Sequence, residues 1–488
     1  MDFLLTDTNS TQTKFCRILL KNSAKYVLSS NIDPLLGPSM FVKNFYDNFK
    51  PIDSITGQNL FIDKSDLFFE DLKSGDTTRV NLARSCVYTI NIPFDKKAKL
   101  ISLFGNLPAV DDYTDFKNSL YALFENMPDK ETLDFLRKEY NKAGDTASYQ
   151  VAILSTLAAM KTPEATNVFK ELITTEPPLD EESSSLLNLY QDSADLAALL
   201  FPDLFQLLTY DEYKDEVYHL LSVCVWKNKI SPDLYKDKVN AMLGTAKTQL
   251  KRVLANVESD DEDYGIYEYT SRLDDYNYLL FPFIKQENVK AHYDKILASD
   301  NKEIKYEVLE CLVEMKGEIP VKTVNELAAD NDYRLYVYKL LNDNNQQALF
   351  PAEQKKQDLF IKSALKARYH SMEIDSTVFL EKRKLEWRGK KGYIYIYKYK
   401  TKDTKGDNYN LAAVGIIPDD ATKLITQFDF NSQVYDNMLD TDEKLDKQLS
   451  ELVYNTLANN RTNDYLDTNK VDTREEEYSY RHSYRYDD

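Results

Sequence analysis

Two short stretches of the chain nearly repeat each other thirty residues apart: Leu297-Ala298-Ser299-Asp300-Asn301 and Leu327-Ala328-Ala329-Asp330-Asn331. Each closes one helical pattern and leads into the next. A fixed period near 30 residues with helix–turn–helix content is the imprint of helical pairs stacked on one another. A longer phrase also returns. Leu154-x-x-Leu157-x-x-Met160-Lys161 precedes Thr162-Pro163, and Leu309-x-x-Leu312-x-x-Met315-Lys316 precedes Pro320. Proline suits the first helical turn, where its missing N–H costs nothing. Behind the first proline come Ala165, Val168, Phe169 and Leu172; behind the second come Val321, Val324 and Leu327. Any two amphipathic helices can share such a phrase, but two pairs this far apart favour an array over one isolated hairpin.

At 488 residues the chain exceeds one ordinary core. Only 12 glycines and 15 prolines favour helices over a turn-rich β protein. A net charge of −19 argues against nucleic acid as the main partner, because phosphate binding is driven by cationic surface and counterion release. The 35 tyrosines suit large half-exposed faces, burying a ring while keeping a wet hydroxyl. Cys16, Cys86, Cys224 and Cys311 show no metal-ligand spacing. Cys224 and Cys311 fall on apolar helical stretches and read as buried thiols. No apolar run approaches the roughly 18 residues of a membrane span. The start, Met1-Asp2-Phe3-Leu4-Leu5, lacks the basic and apolar regions of a signal peptide.

Along the chain, 13–30 reads as two strands, 14–20 and 25–29, turning at Asn22-Ser23. A lone hairpin is marginal in water, so this one is expected to join the C-terminal sheet or a neighbouring β domain. Phe41, Phe45 and Phe49 then mark one helix face. Asp63-Lys64-Ser65-Asp66 opens a helix carrying Leu67, Phe68, Phe69 and Leu72. Further helices are expected at 77–89, 95–105, 113–126 and 130–142. The stretches 176–185 and 258–263 read as acidic, solvated loops. Near 370 the period switches to alternation, giving strands at 377–387, 393–402 and 409–417. Asp440-x-x-Glu443 has the form of a capping box opening a helix through Leu445, Leu449, Leu452, Val453 and Leu457.

These readings give four segments: an N-terminal hairpin at 1–36, a helical array at 37–370, a β-meander plus helix at 371–462, and an acidic, tyrosine-rich tail at 463–488, disordered or weakly docked. The fold class is mainly α. It is an irregular α-solenoid of HEAT-like pairs followed by a small antiparallel β-meander with a helix, an α+β arrangement.

The most distinctive local chemistry is the hairpin at 381–405. Ten Lys or Arg face only Glu381, Glu386 and Asp403 there, leaving the stretch about +7. Along its second strand Tyr393, Tyr395, Tyr397 and Tyr399 point one way, and Ile394, Ile396, Lys398 and Lys400 the other. With Arg388 at the turn, these tyrosines and lysines are candidate ligand-binding residues, a stacking platform for a glycan or another polyanion. The competing reading is a half-buried sheet face packed on a helix, with lysines guarding the edge against aggregation. A third is that the hairpin receives the chain's own acidic tail or an acidic loop.

No catalytic constellation stands out. His219, His292, His370 and His482 lie in separate segments without ligand spacing. No phosphate-cradling glycine loop, GxSxG or HExxH is present. The acidic run 258–263 lacks the glycine and oxygen spacing of a calcium loop. No residue pattern asks for a cofactor or a metal.

Three phrases, Phe45-Tyr46-Asp47-Asn48-Phe49-Lys50-Pro51, the SDLFFEDL run at 65–72 and GKKGYIYIYKYK at 389–400, resemble those of bacterial proteins placed in the TraB/GumN family. The resemblance implies the helical, HEAT-like C-terminal region of a larger exported or periplasmic protein. The first strands would then end a preceding β domain. The short Gly-and-His motifs of the family's catalytic region are not matched, so no catalytic residue carries over. The expected function is a non-enzymatic scaffold with a protein or peptide partner. The alternative is a glycan- or polyanion-binding module using the 381–405 hairpin.

Overall fold

Amphipathic stretches become helices and alternating stretches become two separate antiparallel sheets, so the fold is mainly α within an α+β arrangement. The computed structural model describes residues 2–6, 13–21, 24–33, 35–50, 62–108, 113–144, 146–179, 183–255, 265–368, 374–387, 389–401, 408–419, 423–428, 430–431, 438–440 and 442–466. Cα packing divides the chain into two units, Met1–Tyr213 and Lys214–Asp488. The division falls inside the stretch expected to be one helical array. Among the described residues no helix is long and apolar enough to cross a membrane.

The first unit opens with β1 (Asp2–Thr6), β2 (Thr13–Lys21) and β3 (Ala24–Ile32), paired in that order. The expected hairpin is β2–β3, in register from Thr13↔Ile32 to Lys21↔Ala24. Its further partner is β1, so the hairpin does not join the C-terminal meander. The continuous Phe3-Leu4-Leu5 run hides the alternation that marks a strand. Helix α1 (Met40–Asn48) lies on this sheet through Tyr46, whose ring stacks on Phe15 with centroids 5.1 Å apart. The Tyr46 hydroxyl is 2.9 Å from Ser30 Oγ. The Phe41/Phe45/Phe49 face exists but is not the buried one, since Phe41 and Phe45 are exposed.

Eight helices follow: α2 (Ser65–Leu72), α3 (Thr77–Ser85), α4 (Lys97–Leu103), α5 (Tyr113–Ala122), α6 (Lys130–Ala143), α7 (Ala147–Ala159), α8 (Pro163–Thr175) and α9 (Ala194–Leu200). Asp63 begins α2 as expected, its Oδ1 accepting from the Ser65 amide at 2.9 Å. Thr162 caps α8 from Oγ1 to the Ala165 amide at 3.3 Å, with Pro163 first in the helix. Leu154 and Leu157 of α7 and Ala165, Phe169 and Ile173 of α8 are fully buried. Helices here pack on the next and next-but-one neighbour: α5 on α7, α6 on α7 and α8, α7 on α8.

Helix α10 (Asp211–Trp226) begins in the last residues of the first unit and runs on into the second, which carries α11 (Val239–Leu254), α12 (Gly265–Leu280), α13 (Glu287–Leu297), α14 (Lys302–Glu314), α15 (Val321–Ala329), α16 (Arg334–Asp343) and α17 (Gln357–Arg368). The same habit recurs: α11 packs on α12 and α13, α12 on α14, α14 on α15 and α16, α16 on α17. The two near-identical pentapeptides are the α13–α14 and α15–α16 junctions. In the first, Asn301 Oδ1 accepts from the Glu303 and Ile304 amides at 3.0 and 3.2 Å. In the second, Asp330 Oδ1 accepts from the Asp332 amide at 2.7 Å. Lys302 of the first junction ion-pairs with Asp330 of the second, and Asp332 pairs at 3.2 Å with Lys366 of α17. Successive junctions are thus pinned to one another. The longer phrase also keeps its geometry. Lys161 and Lys316, its last residues, both take left-handed backbone, at φ 49° and 58°. After α14 the Gly317 amide reaches Leu312 O at 2.7 Å, closing the helix in the αL manner usually given to glycine.

Arg334 is buried where α15, α16 and α17 meet. Its Nη2 donates to the terminal carbonyl of Ala329 at 2.9 Å and its Nη1 to Ser363 Oγ at 2.9 Å and Leu359 O at 3.3 Å. Its acceptors are carbonyl, hydroxyl and amide groups, and burial pulls its pKa down despite Asp330 and Asp358 nearby.

The alternating C-terminal stretches form β4 (Ile374–Trp387), β5 (Lys390–Thr401), β6 (Asn410–Pro418) and the short β7 (Phe430–Asn431), a meander in sequence order. It is followed by α18 (Leu445–Leu466). Both faces of the sheet are covered. Ile361 and Leu365 of α17 pack with Tyr397, Tyr399, Ala412 and Val414. Leu449 and Leu452 of α18 pack with Trp387, Ile394, Ile396 and Leu411 on the other side. The expected capping box is displaced. Asp440 Oδ1 accepts from the Asp442 amide at 2.8 Å, and Gln448 Nε2 reaches back to Asp440 O and Glu443 O at 2.8 and 3.0 Å, so Asp440 orders the lead-in while the helix starts at Leu445. The acidic run 258–263, His370, Arg388 and residues 467–488 lie outside the described residues.

Candidate binding surfaces

The tyrosine row at 393–399 does not act as one unit. Strand alternation puts all four rings on the α17 side, but α17 covers only part of it. Tyr397 and Tyr399 are each 2% exposed and belong to the core between sheet and helix, where burial raises the Tyr397 hydroxyl pKa above its ordinary value. They offer no ring face to a ligand. Tyr393 and Tyr395 are half-buried and face β4. Cross-strand register sets Lys384 opposite Tyr393 and Lys382 opposite Tyr395. Lys382 Nζ sits 4.4 Å from the Tyr393 centroid and 5.9 Å from that of Tyr395, and Lys384 Nζ sits 5.9 Å from Tyr393. Ammonium groups at these distances are attracted by the ring quadrupole.

Lys398 and Lys400 end up on the α18 side and converge on a ring the sequence did not single out. Their Nζ atoms lie 4.1 and 4.4 Å from the centroid of Tyr409, just before β6. Other hairpin charges are met locally. Arg383 donates to Glu381, to Asp446 Oδ1 at 2.6 Å and to Ser450 Oγ at 2.7 Å on α18. Lys384 pairs with Asp419 at 2.6 Å, which raises its pKa, and Lys391 lies 3.8 Å from Glu386.

One polar cluster escaped the sequence reading because its members are far apart in the chain. His219 Nδ1 is 2.8 Å from Asp275 Oδ1 and 3.0 Å from Oδ2. Ser222 Oγ donates to Asp275 Oδ1 and to His219 O, both at 2.7 Å. Arg272 pairs with Asp215 at 2.9 Å. Glu216, on the same face of α10 as His219, has its pKa raised chiefly by burial. A carboxylate on Nδ1 fixes the imidazole, as in an acid–base triad. Here, however, Ser222 binds the carboxylate and its own helix carbonyl, so the geometry is that of a joint between α10 and α12. Helix i, i+3 spacing of His219 and Ser222 was the only local signal; Asp275 gave none.

His292 is buried with both ring nitrogens lacking a hydrogen-bond partner, and its pKa is lowered to about 4, first by burial and then by Lys247 and Lys295. None of the four cysteines is in a disulfide. Burial pushes the Cys224 thiol up to about 12, which makes it a poor nucleophile. Among the described residues no group of three His, Cys, Asp or Glu is arranged to hold a metal ion.

A groove of about 480 Å³ runs between α6 and α8. Leu133 and Val168 form its floor, Lys130, Asp134 and Arg137 line the α6 wall, and Glu164, Asn167 and Glu171 the α8 wall. Arg137 clasps Glu171 through Nε and Nη2 at 3.1 and 2.9 Å and reaches Asp134 at 3.0 Å, crossing the groove. Comparison with protein-family models, with curated proteins and with solved structures yields no match.

Proposed function

We propose that this chain is a non-enzymatic scaffold whose helical pairs dock a protein or peptide partner in the groove between α6 and α8. The observation that carries the reading is the groove itself, with an apolar floor, polar walls and rims of both charge signs. Such a strip favours an extended or helical peptide that buries a few apolar side chains while its charges meet the walls. The packing of helices on their next and next-but-one neighbours supports it, because an array of helix pairs would present a long surface of this kind. The resemblance to the TraB/GumN C-terminal region agrees with a role beside catalysis. The test is a pull-down from native extract at low and moderate salt, with the chain and with a Lys130→Glu/Glu164→Lys variant as bait. A stoichiometric partner that persists at moderate salt and is lost with the variant supports the reading. A partner indifferent to the variant removes the groove from it.

A second reading is favoured by one observation, the convergence of Lys398 and Lys400 on Tyr409. Two ammonium groups around one ring suit an anionic ligand such as an acidic glycan. Lys398→Glu/Lys400→Glu should then abolish salt-sensitive retention on a heparin column. Unchanged retention rules this site out.

A further inference from the structure

The turn between β3 and α1 and the first residues of α1 carry four of the most exposed apolar side chains among the described residues: Leu35 at 93%, Leu36 at 85%, Met40 at 70% and Phe41 at 79%. This turn is also built. Asp33 Oδ1 accepts from the Leu35 and Leu36 amides at 2.7 and 3.2 Å, and the Gly37 amide returns to Asp33 O at 2.9 Å. Gly37 holds left-handed backbone at φ 68°, which a leucine would resist. Ser39 then caps α1 at the Val42 amide, 3.3 Å away. An apolar tip held by this many hydrogen bonds is a presented surface rather than a slack loop.

Two lysines flank it. Lys14, opposite Asn31 in the sheet register, lies at the same end of the sheet as Asp33. Lys43 follows Met40 by three residues, on the same helix face. Both lysines are exposed. Of the nearby carboxylates, Asp47 and Asp2 share Arg17 at 2.8 and 2.7 Å, and Asp33 holds the turn amides. The rest of this −19 chain repels anions, but its charges are screened beyond about 8 Å at physiological salt.

We propose that this tip docks on an anionic lipid surface, with Leu35, Leu36, Met40 and Phe41 in the interfacial layer and Lys14 and Lys43 on the headgroups. A folded protein partner fits less well. A stable protein interface buries about 800 Å² on each side with matching shape, and four side chains on a convex tip do not supply that. A bilayer needs no matching pocket, and adds affinity for each buried apolar group and each lysine near the headgroups.

The test uses the full chain in co-sedimentation with vesicles of phosphatidylcholine, alone and with roughly a quarter phosphatidylglycerol. The mixed vesicles should bind it and the neutral ones much less. Leu35→Asp/Leu36→Asp should cut partitioning at least about tenfold, and Lys14→Glu/Lys43→Glu should remove the preference for phosphatidylglycerol. Because these side chains are exposed, thermal melting should match the parent. Leu35→Trp adds a reporter that brominated lipids should quench. No binding to mixed vesicles, binding unchanged by the aspartates, or absent quenching overturns the proposal. Self-association in sedimentation velocity, lost with the aspartates and without vesicle binding, overturns it in favour of a second copy of the chain.

Discussion

Replacing Tyr397 by alanine, beside the same change at Tyr393, decides whether the tyrosine strand is core or platform. The ring of Tyr397 is shut between β5 and α17, and Phe379 meets it edge-on at 5.5 Å. A buried aromatic ring covers about 150–250 Å². At about 25 cal/mol per Å² that is about 4–6 kcal/mol before the retained methyl is credited. Measured truncations of this kind cost about 3–5 kcal/mol. Tyr393 is half-buried and contributes mainly its contact with Lys382, about 0.5–1 kcal/mol. The chain has two tryptophans, so a Trp226→Phe background leaves Trp387, buried in this same module, as the fluorescent reporter. With a urea slope of about 2 kcal/mol per molar, Tyr397→Ala should lower the Trp387 midpoint by about 2 M and Tyr393→Ala by about 0.5 M or less. Equal shifts, or a Tyr397 shift below about 0.5 M, would refute the packing argument and reopen the whole row as a ligand surface.

Three further outcomes are expected. Arg334→Ala strands the Ala329 carbonyl, while Ser363 Oγ still donates to Leu359 O at 3.1 Å, and should cost about 1–3 kcal/mol in denaturant titration; Arg334→Lys should recover little of it, because an ammonium cannot reproduce the planar fork. For His292 the folded pKa is the lower one, so the unfolded chain binds the proton first and stability falls as pH drops from 6.5 towards 4. That gap is worth about 3 kcal/mol, and urea titrations of His292→Leu should lack that part of the acid slope; an unchanged slope would assign it to other groups. A Cβ at Gly392 would lie 2.1 Å from the backbone oxygen of Ile417, so Gly392→Ala should part β5 from β6 there and cost about 3 kcal/mol or more in the Trp387 transition, beyond ordinary overpacking.

Elements with strong local periods were legible. Helices α2 to α8, the β2–β3 hairpin and the C-terminal meander fall close to where period and capping residues put them. What failed depended on contacts that a local period does not encode. The phenylalanine period of α1 is real, yet Tyr46 is the residue that packs, because Phe15 and Ser30 on the sheet select it. Asp440 matched a capping box, but Gln448 reaches back to its carbonyl and shifts the start of the helix. In the hairpin, alternation predicted which side each tyrosine faces. It could not tell that α17 covers Tyr397 and Tyr399 and leaves Tyr393 and Tyr395 at the edge. Tyr409 has no pattern of its own and becomes visible only when β6 brings it to Lys398 and Lys400. The SDLFFEDL run reads as core for a plain reason: it is α2, burying Phe68, Phe69 and Leu72.

The two-sided cover of the meander sets an order on synthesis. Helix α17 leaves the ribosome before the sheet, and the tyrosine side of β5 can close on it at once. The opposite side, with Ile394 and Ile396, waits for Leu449 and Leu452, and 53 residues separate Ile396 from Leu449. At about 5–20 residues per second the half-covered sheet stays open to other chains for several seconds in each round of translation. During that delay the Ile394 and Ile396 side of the nascent sheet is an apolar surface that a chaperone would cover.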